Sequence, residues 1–118
     1  MAELSPAQVI GQFSADVRLE DVPAPVVSRA KLHILDALGL GLAACAEEFG
    51  RTSRQGITAM AAPGACSTIL GGERWAARDA AMLNAILMHG LDFDDTHLAS
   101  IIHPTCTALP AAPCRSDG

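Results

Sequence analysis

The run from Val26 to about Ala46 constrains this chain most: Val27, Ala30, Ile34, Leu38 and Gly41 recur at three- and four-residue spacing, the period of an amphipathic helix. Its apolar stretch, Leu32 to Ala46, is interrupted by His33 and Asp36 and falls short of the roughly 20 apolar residues a bilayer-spanning helix needs. A buried core helix is expected, with Gly39 and Gly41 letting a neighbour approach closely. His33 and Asp36 stand three apart and are read as a solvated pair on the polar face, outside any site.

Around this helix the chain reads as further helices. Ser5 can cap a short one over Pro6 to Ser14, with Pro6 in its first turn and Val9, Ile10 and Phe13 on one side. The acids and prolines from Val17 to Pro25 read as a connection. A third helix is expected from Arg51 to Ala62, ended by Pro63 and Gly64. Cys66 to Leu70 reads as a strand or extended loop before Gly71 and Gly72. A fourth helix, from Arg74 or Ala76 to His89, shows a face of small residues that includes Ala77, Ala80, Ala81, Asn84 and Ala85. The expected fold is all-α with one short extended segment near 66–70. One domain over residues 1–112 is expected, followed by an irregular tail over 113–118.

Composition fits a helical fold and excludes several functions. Half of the 118 residues are hydrophobic, mostly Ala, Leu, Ile and Val, with one Trp and no Tyr. Small side chains fill little volume, so such a core must bring helices close together or borrow apolar surface. The net charge of −5 and the lack of a basic patch argue against nucleic acid as a partner. Without a membrane span or a secretory pattern at its start, the chain is expected to be cytoplasmic. Cys45, Cys66, Cys106 and Cys114 form no Cys-x-x-Cys pair and are read as ordinary thiols.

Chemistry concentrates between His89 and His103, where three Asp, one Thr and three His occur in fifteen residues. If the preceding helix continued past Gly90, His89, Asp92 and Thr96 would share one face, with His103 beyond the helix end and fixed by Pro104. Imidazole transfers protons near neutral pH, and a carboxylate beside it fixes its tautomer. The same residues also suit a solvated helix end with local hydrogen bonds. Asp92-Phe-Asp94-Asp95-Thr96 matches the Asp-x-Asp-x-Thr loop of haloacid dehalogenase-like phosphatases, but that loop follows a buried strand, and here a helical pattern precedes it. His89, Asp92, Asp94, Asp95 and His97 could ligate a divalent ion. Clustered acids in an acidic chain are common without one, so no metal is assigned.

The window from Ala76 to His97, followed by His103-Pro104-Thr105, resembles the MmgE/PrpD family, the family of 2-methylcitrate dehydratase. The stretch from Ala30 to Ala43 is similar to that family's early helix, so the resemblance covers roughly residues 5–112. It implies a lyase that processes small polycarboxylates without a metal or organic cofactor. It also implies a homodimer of longer chains, each joining a helical domain to a smaller α+β domain with the active site between them. Asp92 and Thr96 fall on family active-site positions and His103 on the histidine of the His-Pro step. The resemblance thus implies proton transfer by His103, orientation by Asp92 and substrate-carboxylate binding by Thr96.

A lysine and another histidine would come from later in such a chain, and the ending after Ala112 leads us to expect a truncated or frameshifted reading frame, inactive alone. The interval from Thr96 to His103 is one residue longer than in the mammalian cis-aconitate decarboxylase branch, which leans the expectation toward a dehydratase. The contrasting expectation is a non-catalytic small helical interaction module, supported by the length alone.

Overall fold

The computed structural model describes residues 4–111, so the expected tail at 113–118 and Cys114 lie outside the described residues. Helix α1 spans Pro6–Asp16 and begins as its sequence dictates. Ser5 caps it, and Gln8 returns the bond to the Ser5 backbone amide at 2.9 Å, a reciprocal capping box. A 3-10 turn, Leu19–Asp21, occupies the expected connection. Helix α2 covers Ala24–Ala44, α3 Glu48–Thr58, α4 Ala77–His89 and α5 Pro104–Ala108, with a 3-10 turn Leu109–Ala111 after α5. The chain divides into two compact units between Lys31 and Leu32, a division that falls inside α2. Among the described residues no helix is long and apolar enough to cross a membrane.

The fold is mostly helical, as expected, but the extended segment is a true hairpin. Strand β1, Pro63–Ser67, pairs antiparallel with β2, Arg74–Trp75, with a bulge between Pro63 and Cys66. The strand therefore starts earlier than the expected 66–70 and ends before Thr68. The cause is a turn in which the Gly71 amide donates to the Thr68 carbonyl at 2.9 Å. Gly71 and Gly72 then continue it at φ 67° and 84°, a conformation that disfavours any side chain with a Cβ.

The core of the second unit gathers Ala44, Ile57, Cys66, Trp75, Ala80, Leu83 and Leu87. Leu83 and Leu87 are fully buried, each contributing roughly 2 kcal/mol of hydrophobic stabilisation. A second cluster joins Ala37 of α2, Met88 of α4 and Cys106 of α5. The buried face of α2 is Ala37, Gly41 and Ala44, which corrects the expected stripe: Ile34 and Leu38 are exposed. Gly41 supplies the expected close approach, since a Cβ there would lie 2.5 Å from Ile69 Cδ1, whereas Gly39 faces open space.

Helix α4 holds the hairpin through two buried polar side chains. Asn84 Oδ1 accepts from the Ile69 amide at 2.8 Å, and its Nδ2 donates to the Ser67 carbonyl at 3.2 Å. Asp79 accepts from the Ala62 amide at 2.9 Å and from Arg78 Nε at 2.8 Å. Cys45 and Cys106 are free thiols, whereas Cys66 is disulfide-bonded, contrary to the expectation of plain thiols.

Candidate active site

Helix α4 stops at Gly90 and does not carry the motif onward. The Asp92 amide donates to the His89 carbonyl at 2.7 Å, and Asp92 takes φ 56°, a left-handed conformation that Asp tolerates better than most residues. His89, Asp92 and Thr96 therefore do not share a helical face. The chain reverses instead and brings Asp94 back against His89.

The loop closes on itself before His103. The His97 amide donates to the Ile102 carbonyl at 2.9 Å, and the Ile101 amide donates to the His97 carbonyl at 2.8 Å, with Ile101 at φ 52°. His97 Nδ1 lies 2.6 Å from Ser100 Oγ, so this histidine serves the loop. Pro104 then opens α5, placing His103 immediately before the helix.

Two imidazoles meet one carboxylate at the centre. The Asp94 side chain is fully shielded from solvent; His89 Nδ1 lies 3.1 Å from its Oδ1 and 3.2 Å from its Oδ2. His103 Nδ1 lies 3.3 Å from the same Oδ1, within ion-pair reach, yet this buried nitrogen has no hydrogen bond of good geometry. The two imidazole rings sit 4.7 Å apart at 57°. On the other edge of the His103 ring, Nε2 lies 3.8 Å from Oδ1 of the exposed Asp92. Cys106 packs beneath, with Sγ 3.3 Å from the His103 carbonyl.

Burial pushes the Asp94 carboxyl up, but hydrogen bonds from Cys106 and His89 outweigh it and hold the group below the ordinary carboxylate value. Asp94 is therefore ionised at neutral pH. Burial, reinforced by Asp94, raises the Cys106 thiol to about 11. That thiol stays protonated and is a poor nucleophile.

Of the three residues expected in the site, the structure pairs Asp92 with His103. Thr96 stands in the same loop, its hydroxyl donating to the Asp94 carbonyl at 3.3 Å. Asp94 and His89, which residue spacing did not single out as a pair, form the centre. The signal for them was Gly90: a helix ended there lets residues five apart meet. His33 also departs from its expected pairing with Asp36, its Nδ1 lying 4.0 Å from Asp95 Oδ2.

His89, Asp92, Asp94 and His103 offer ligand atoms all within 4.8 Å of one another, a nitrogen and oxygen set that suits a divalent ion. The His89 and Asp94 members of that set already satisfy each other. The phosphatase reading of Asp92 to Thr96 is overturned by the fold, because the segment follows a helix, and the sheet among the described residues is a two-stranded hairpin.

Comparison with known proteins agrees with the motif. The MmgE/PrpD N-terminal domain profile matches residues 8–115. The cis-aconitate decarboxylase-like protein oryM of Aspergillus oryzae is 30% identical over 96 residues, which are 81% of this chain and 20% of that protein. Cis-aconitate decarboxylase of Aspergillus terreus is 27% identical over 108 residues, 92% of this chain and 22% of the enzyme. The chain thus spans about a fifth of the length of these relatives. No solved structure matches significantly. With the profile covering nearly all of its length and the His89 to His103 window folded around a shared carboxylate, the chain belongs to the MmgE/PrpD family, in its N-terminal domain.

Proposed function

We propose that this chain supplies part of the active site of a cofactor-independent lyase acting on a small polycarboxylate. In this reading His103 transfers the proton, Asp92 orients it or the substrate, and Thr96 binds a substrate carboxylate. The observation that carries the reading is the posture of His103: Nδ1 is buried against Asp94, and Nε2 faces the exposed Asp92. An imidazole with one nitrogen beside a buried carboxylate and the other facing an open one suits acid–base catalysis. Thr96 would bind substrate by turning its hydroxyl away from the Asp94 carbonyl.

In the dehydratase form, Nε2 takes a proton from the carbon next to a carboxylate, the electron pair spreads into that carboxylate, and the hydroxyl leaves as water once protonated. The long Thr96 to His103 interval favours this form. The names of the relatives favour decarboxylation of cis-aconitate. There, loss of carbon dioxide leaves an electron pair on carbon, and a histidinium returns a proton to it. Both forms need cations to hold a polycarboxylate. The window from His89 to His103 contains no Lys or Arg, so they must come from elsewhere.

A chimaera with this chain in place of the matching segment of the Aspergillus terreus enzyme tests the proposal. Carbon dioxide release from cis-aconitate and double-bond absorbance from 2-methylcitrate report the two forms. His103→Ala is expected to lower kcat at least about 100-fold on whichever substrate turns over. Full activity in that variant would sink the assignment. If neither substrate turns over, titrating the chimaera, whose remaining segments can supply the cations, with a tricarboxylate decides it: the reading requires binding that Thr96→Ala weakens.

A further inference from the structure

We infer that Asp94 is the positioning residue of this site: its buried carboxylate holds both His89 and His103 by Nδ1 and thereby assigns proton exchange with substrate to His103 Nε2. The inference rests on the lyase reading for its last clause and on geometry for the rest. Asp94 belongs to neither the exposed side of the site nor the residues that would touch substrate, since its side chain has no solvent exposure. It sits within 3.1–3.3 Å of two separate imidazoles through the same oxygen.

An ionised carboxylate can only accept hydrogen bonds, so each ring nitrogen turned toward it must carry hydrogen. A bare nitrogen lone pair on buried His103 Nδ1 would face the Oδ1 lone pairs at 3.3 Å without water between them. That arrangement is repulsive, and low local polarity makes it costly. The Nδ1–H tautomer removes the repulsion. A neutral imidazole then has its only lone pair on Nε2, which lies on the Asp92 side.

The other titratable groups around Asp94 fit the same assignment. His89 donates from α4, and Cys106 supplies a protonated thiol from α5. Asp92 and Asp95 are the remaining carboxylates of the loop, and neither is as enclosed as Asp94. The misaligned approach of His103 Nδ1 to Asp94 fits a site whose last hydrogen bond tightens when substrate draws the ring into line.

The test uses the 118-residue chain labelled with 15N histidine, in buffer alkaline enough for neutral imidazoles. Two-bond nitrogen–proton correlations identify the tautomer of each ring. The expected result is the Nδ1–H form at His103, in contrast to the Nε2–H form usual for free imidazole. Asp94→Leu, which leaves the ring no acceptor, should shift His103 toward Nε2–H. Finding His103 as Nε2–H in the unsubstituted chain overturns the inference without any variant, so a variant that fails to fold does not blunt the test. An unchanged tautomer in a folded Asp94→Leu chain overturns it as well. The lyase reading fails separately, through a chimaera that neither turns over nor binds a tricarboxylate while the tautomer stays intact.

Discussion

His33 Nδ1 on α2 lies 4.0 Å from Asp95 Oδ2, while Asp95 Oδ1 accepts from the Thr105 amide at 3.3 Å. One carboxylate thus ties the loop to the first turn of α5, which Pro104 starts and whose free amides need acceptors. Asp95→Ala is expected to cost about 1 kcal/mol, the usual loss for a removed capping oxygen. Asp95→Asn should cost less, because its side-chain oxygen still accepts. His33→Ala should change stability by only a few tenths of a kcal/mol, about the worth of an exposed pair. Urea unfolding of the three variants checks the order; equal losses for Asp95→Ala and Asp95→Asn would place the effect in charge and not in the cap.

Asn84 is a second fastening point, filling a fully buried position with both ends of its amide bonded to the backbone near the hairpin. Asn84→Ala would leave the Ile69 amide and the Ser67 carbonyl without these partners, at a cost of about 2 kcal/mol. Asn84→Asp should recover little of this, since one oxygen still accepts from Ile69 but the other faces the Ser67 carbonyl in a buried site. Thermal unfolding of the pair tests the point, and a loss-free alanine variant would show that water replaces the amide.

Much of this was legible in residue order, and the failures have physical causes. Ser5, Pro6 and Gln8 announce α1 because capping chemistry is local. The stripe through Ile34 and Leu38 misled because Ala37, Gly41 and Ala44 repeat with the same period beside it. Hydrophobicity ranks the larger residues higher, but Met88 and Ile69 need the small ones, a packing demand made from distant parts of the chain. The candidate site was legible in its residue types and not in its pairing. Asp94 meets His89 and His103 only because the helix ends at Gly90 and the loop closes between His97 and Ile102.

Asp94 predicts an acid limb in the stability of the fold. Burial raises its carboxyl, but the bonds from Cys106 and His89 prevail, so the folded value lies below the unfolded one. Its stabilising contribution is present above the ordinary carboxylate range and is lost as pH falls toward the folded value. Asp94→Asn should therefore show a flatter decline in unfolding midpoint over that interval. Parallel acid limbs in the two proteins would mean that the carboxylate is equally stabilised in the unfolded chain.

Cys106 predicts the opposite limb. Its thiol is raised to about 11, first by burial and then by Asp94, so its contribution is full below the ordinary thiol value and is lost as pH rises toward about 11. At mildly alkaline pH, alkylation followed by peptide mapping should find Cys106 unmodified in the folded chain and modified in urea. Fast labelling of the folded chain would show that α5 opens readily.

Ile101 holds φ 52° and is 81% exposed, so a β-branched residue occupies left-handed backbone with little burial to offset the strain. That conformation costs an L-residue roughly 1–2 kcal/mol, and Asn bears it more easily through local hydrogen bonding. Ile101→Asn is therefore expected to stabilise the fold by about 1 kcal/mol, with a raised thermal midpoint. Because the turn from His97 to Ile102 aims the chain into His103, the same substitution should leave the His103 tautomer unchanged. A lowered midpoint would show instead that the exposed Ile101 side chain gains from apolar contacts that outweigh its backbone strain, moving the role of this loop from geometry to association.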